Sequence, residues 1–210
     1  PAPWESTDGQ DEPQNATNAA QEKPLVQWIE APQIFAPLPP RLWVCEKLQI
    51  GPGRSNFFVG APSAGKTIGA QAFGVRVAIG GNAFDDIEFK INNPGPVAHI
   101  DYDQGQYDTF ERYQAICNAY KIPVEAMRGK LRYVHRPPLH ASDPASYDQW
   151  LRICEGLRLV IIDSLHGVMP GKDIMKPEFA DGVYRLNAVS EKTGATILIL
   201  AHTRKPSRDK

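Results

Sequence analysis

Four short apolar runs punctuate the chain, and each ends in small or polar residues. Ser55–Val59 (SNFFV) leads into Gly60, and Val97–Asp103 (VAHIDYD) ends in two acids. Leu157–Asp163 (LRLVIID) and Ala195–Ala201 (ATILILA) are almost continuously apolar, as strands covered on both faces are. Leu131–His135 is a fifth, shorter strand candidate. Between these runs the spacing changes to a helical one. Thr67–Ile79 follows the first strand, and Asp108–Tyr120 repeats Phe110, Tyr113, Ile116, Cys117 and Tyr120. Asp143, ahead of Pro144, is a cap for a stretch running to about Glu155. Phe179–Thr193 sets Val183, Leu186 and Val189 on one face, with Gly194 as its C-cap. Strands alternating with helices predict an α/β fold, a mostly parallel sheet flanked by helices and joined by right-handed crossovers.

The polar pattern divides the chain into three parts. Residues 1–23 are rich in Pro, Gln, Asn, Asp and Glu, with Trp4 the only large apolar side chain. Such a segment buries too little surface to offset its ordering entropy, which predicts a disordered tail. Residues 24–40 place Leu25, Val26, Trp28, Ile29, Ile34, Phe35 and Leu38 among prolines, which predicts an extended arm packed on a neighbouring subunit or on its own domain. Residues 41–210 carry the periodic pattern and hold the folded domain.

Composition adds limits. The 210 residues suit one α/β domain with appendages, and a formal net charge of −1 carries no global basic signature for nucleic acid. Cys45, Cys117 and Cys154 are odd in number and far apart, which argues for free thiols in a reducing, cytoplasmic setting. No apolar run approaches the ~20 residues that span a bilayer, so no membrane partner is expected.

Chemistry enters where the first strand ends. Gly60, Ala61, Pro62, Ser63, Ala64, Gly65, Lys66 and Thr67 spell G-x-x-x-x-G-K-[ST] between a strand and a helix. Glycines let successive backbone N–H groups face phosphate oxygens, and the following helix turns its positive end to the same anion. Lys66 can reach the β- and γ-phosphates, and the Thr67 hydroxyl can ligate Mg²⁺. The loop alone therefore predicts a bound nucleotide with Mg²⁺, adenine ahead of the other bases.

The other strand ends gather at the same edge of a parallel sheet. Asp163 follows Leu159–Ile162, a buried strand delivering a carboxylate next to the metal. Asp101 and Asp103 are two apart on this strand and so face the same side, where either can polarise an attacking water; Asp103 is favoured because Asp101 lies deeper. His202 ends the strand expected beside the phosphate loop and can sense the γ-phosphate. Arg204, Lys205 and Arg208 form a basic cluster able to reach a phosphate in an adjacent subunit or a nucleic-acid backbone. Gly167–Glu178 is a Gly/Pro-rich loop made mildly basic by Lys172 and Lys176. His99, His135, His140 and His166 have no metal-ligand spacing.

These motifs, in the order G-A-P-S-A-G-K-T, H-I-D-Y-D-Q-G, L-V-I-I-D-S-L and A-T-I-L-I-L-A-H-T-R-K-P, resemble the RecA-like ATPases, and among them the hexameric helicases of the plasmid RepA type. The resemblance spans roughly Arg41 to Pro206. It implies a RecA-like P-loop core assembled into rings or filaments with ATP between subunits. It maps the catalytic base onto Asp103, the Walker B acid onto Asp163, the sensor onto His202, and a residue acting in trans onto Arg204 or Lys205. Two departures stand out. The family usually has Glu at the position of Asp103, and its cores continue through further strands, which implies a C-terminally truncated domain or a reduced nucleic-acid face. The leading expectation is a ring-forming helicase or translocase on single-stranded DNA, a homo-hexamer working with other replication or regulatory proteins. The alternatives are a recombinase-like filament protein and a non-motor nucleotide switch acting on protein partners.

Overall fold

The computed structural model describes residue 26 and residues 28–173 and 176–203. The chain divides into two compact units, Pro1–Pro39 and Pro40–Lys210. In the first, among the described residues, a four-residue helix, α1 (Ala31–Ile34), interrupts the stretch read as extended. Its first turn holds Pro32, whose missing N–H has no partner to lose there, and the Glu30 N–H donates to Gln33 Oε1 at 3.1 Å. Trp28, Ile29, Phe35 and Leu38 are exposed.

The second unit contains a five-stranded sheet of β1 (Asn56–Gly60), β2 (Val97–Asp101), β3 (Leu131–His135), β4 (Leu159–Asp163) and β5 (Thr196–His202). The spatial order is β1-β5-β4-β2-β3, and every pair is parallel. The connections carry α2 (Lys66–Ile79), α3 (Gln106–Ala119), α4 (Val124–Met127), α5 (Tyr147–Cys154), α6 (Leu165–Val168) and α7 (Pro177–Thr193). This is the α/β class that the alternating pattern predicts.

Period-two alternation sends successive strand residues to opposite faces. Ile100, Ile162 and Ile199 pack with Trp150, Leu186 and Val189 on one side. Val97, Ile161 and Leu198 pack with Phe73, Val75 and Ile116 on the other. Leu159–Ile162 are all buried, which explains why that run lacks polar positions. Each such side chain contributes roughly 1.5–3 kcal/mol on burial, so the central strands anchor the fold.

Register then places the chemistry. Gly60 pairs with His202, and Asp101 pairs with both Asp163 and His135. The carboxyl ends of the strands therefore finish at one edge of the sheet. One boundary differs from the sequence reading: β2 stops at Asp101, and residues 102–104 form a bend. Asp101 and Asp103 therefore do not share a strand face, contrary to the expectation from the sequence. Among the described residues, no helix is long and apolar enough to cross a membrane.

Candidate nucleotide site

The phosphate loop leaves the edge strand β1 and enters α2 through Gly65, whose φ of +79° lies in the left-handed region. A side chain there would be strained, so this turn requires glycine. Helix α2 opens with Lys66 and Thr67, presenting its unpaired N–H groups to the loop. The Lys66 ammonium is folded back on its own loop. It donates to the carbonyl oxygens of Gly60 (3.0 Å) and Ala61 (2.8 Å) and lies 3.1 Å from His202 Nδ1. The strand pairing of β1 with β5 puts the histidine there.

Thr67 and Asp163 form the second half of the site. The Thr67 hydroxyl donates to Asp163 Oδ2 at 2.6 Å. Asp163 is only 3% exposed. Burial pushes its carboxyl up from 3.8 to about 6; the Thr67 bond opposes this, Asp101 and Asp103 add to it, and Lys66 opposes it. Two hard oxygen donors at the mouth of a phosphate loop fit Mg²⁺, which takes one or two protein ligands and completes its shell from phosphates and water. Among the described residues there is no group of three or more His, Cys, Asp or Glu side chains placed to hold a metal by themselves.

A cavity of about 390 Å³ opens over these groups, lined by Ser63–Ile68, Gln104, Arg112, Asp163 and His202. Arg112 of α3 donates to Gln104 Oε1 at 3.2 Å, so the two close one wall together. Neither was singled out from the sequence; Arg112 sits in a helix chosen for its apolar positions, and only the packing of α3 beside α2 turns it to the loop. Asp103 is exposed, adjacent to Gln104, and does not line the cavity. Asp101 is fully buried and bound within the protein. Arg204, Lys205 and Arg208 lie outside the described residues. Of the loop read as Gly167–Glu178, Gly167 and Val168 belong to α6, and Pro177 and Glu178 to α7. His99 is buried, and desolvation lowers it from 6.5 to about 4, so it is a neutral core residue beside Tyr113.

The family model for the AAA domain matches residues 19–208. The chain belongs to the AAA domain family of P-loop ATPases. No curated protein matches it. Membership in the AAA domain family explains the loop, the parallel sheet and the paired Thr67 and Asp163 as one nucleotide site. It implies nucleotide binding and ATPase chemistry with Mg²⁺.

Proposed function

We propose that this AAA domain is an ATP-hydrolysing motor that resembles the plasmid RepA-type helicases, assembles into a ring, and acts on single-stranded DNA. The observation that carries the reading is His202 on β5, 3.1 Å from the Lys66 ammonium. A strand-end polar residue in contact with the phosphate-loop lysine registers whether a triphosphate has drawn that lysine away.

The steps follow from the chain's own groups. Lys66 leaves the carbonyls of Gly60 and Ala61 and binds the β- and γ-phosphates, freeing His202 to hydrogen-bond elsewhere. Thr67 and Asp163 would hold Mg²⁺, which when bound would neutralise phosphate charge. Arg112 and Gln104 bound the cavity on the α3 side. Asp103, on the turn beside the cavity-lining Gln104, orients the attacking water, and Arg204 or Lys205 of an adjacent subunit reaches the phosphate. Apolar residues of the N-terminal arm link neighbouring subunits.

A second reading, a nucleotide switch acting on protein partners, draws support from one observation. Asp103 is exposed and outside the cavity lining, and Asp is one methylene shorter than the Glu usual in the family the motifs resemble. A recombinase-like filament would use the same site, and negative-stain images separate it from a ring. Phosphate release with and without single-stranded DNA, paired with a mass measurement in ATP, tests the motor. DNA-stimulated turnover by an oligomer supports it, and a monomer indifferent to DNA overturns it.

A further inference from the structure

The deeper of the two acids after β2 has a place of its own. Asp101 is fully buried at the end of that strand. Its Oδ1 accepts from the backbone N–H groups of Asp103 (3.1 Å) and Gln104 (2.8 Å). Its Oδ2 accepts from the Thr109 hydroxyl on α3 (3.0 Å) and the Tyr133 hydroxyl on β3 (2.9 Å). A carboxylate has about four acceptor positions, so Asp101 has none left for an attacking water.

We propose that Asp101 is a positioning residue. It clamps the turn that carries Asp103 and Gln104, and it ties that turn to the helix of the phosphate loop. The tie runs through Thr109. Gln71, fully buried on α2 one turn after Thr67, donates from Nε2 to the Thr109 carbonyl at 3.4 Å. Thr109 thus touches α2 through its backbone and Asp101 through its hydroxyl. Beyond the turn, Gln104 accepts from Arg112, and both side chains line the cavity. The flanks are fixed as well: the Tyr102 N–H donates to the Asp163 carbonyl at 2.5 Å, and Arg136 Nε donates to the Tyr102 carbonyl at 3.1 Å. A turn held at so many points moves as a unit with α2 and α3, so the clamp sets where Asp103 stands when nucleotide arrives. This rests on the proposed role of Asp103.

The test is Asp101→Asn, which keeps the volume and one acceptor oxygen but turns a donor toward the Thr109 and Tyr133 hydroxyls. Turnover is normalised to the sites titrated by a fluorescent ATP analogue, so misfolded protein does not count. The expected result is a fall in normalised kcat of about 100-fold, the effect of a misplacement of about 1 Å. KM and the analogue's Kd stay within about twofold. Thr109→Ser should hold kcat near the parent value, and Thr109→Val should lower it with binding retained. Normalised kcat within about twofold of the parent for Asp101→Asn overturns the proposal, as does loss of binding and turnover in proportion, which marks a purely structural role. Asp103→Asn is measured alongside. If it keeps turnover, the base assignment fails and the clamp's purpose with it. If it loses turnover while Asp101→Asn does not, the clamp alone is wrong.

Discussion

Asp163→Asn should stabilise the nucleotide-free protein while destroying its chemistry. The wild-type carboxyl is 3% exposed and has been pushed from 3.8 to about 6 by burial. Above pH 6 the folded protein must hold the charged form in a place that disfavours it. Raising the carboxyl from 3.8 to about 6 corresponds to about 3 kcal/mol. Because the folded pKa lies above the unfolded one, the folded state binds more protons between about pH 4 and 6. Wild-type stability from this group is therefore highest below pH 4 and declines as pH rises through 6. Asparagine does not titrate and still accepts the Thr67 hydrogen bond through its amide oxygen. Without nucleotide or divalent cation, the variant should exceed wild type by about 3 kcal/mol at pH 8, or about 6–12 °C in Tm for a chain of this size. The gap should close toward pH 4. Thermal unfolding of both proteins across that range measures the difference and cancels the other carboxylates. A gap that is constant with pH, or a variant less stable at pH 8 than at pH 4 relative to wild type, would refute the argument.

Other expectations follow from the same geometry. Lys66→Ala removes the cation that bridges Gly60, Ala61 and His202, and titration with a fluorescent ATP analogue should find binding weakened at least tenfold, by about 1.4 kcal/mol or more. Asp103→Asn should bind nucleotide normally and lose turnover, by about 100-fold if it is the base; an unchanged rate of phosphate release would place the base elsewhere. Gly167→Ala would drive a Cβ into the Tyr102 side chain, next to the turn that bears Asp103. Overpacking of this kind costs about 1–3 kcal/mol in chemical denaturation, and the same variant should turn over more slowly.

The parts of the fold legible in the sequence were those fixed by local pattern. Leu159–Ile162 reads as a covered strand because nothing polar interrupts it, and the glycines and Lys66 announce a phosphate loop because few backbones tolerate that turn. Gly194 ends α7 in the left-handed region, as a C-cap glycine does. What was not legible depended on contacts between distant elements. The end of β2 at Asp101 is set by a carboxylate that captures the N–H groups of the next turn, a competition that alternation alone does not reveal. Arg112 and Gln104 join the site through the packing of α3 beside α2. The contact between His202 and Lys66 needed the strand order, which the sequence suggested but could not measure.

The most direct test of the account is the steady-state rate of ATP hydrolysis, with Mg²⁺, in the presence and absence of a poly(dT) oligonucleotide. The account predicts hydrolysis that DNA accelerates and that Asp103→Asn abolishes. Hydrolysis unaffected by DNA, in a protein that stays monomeric with ATP bound, would contradict it.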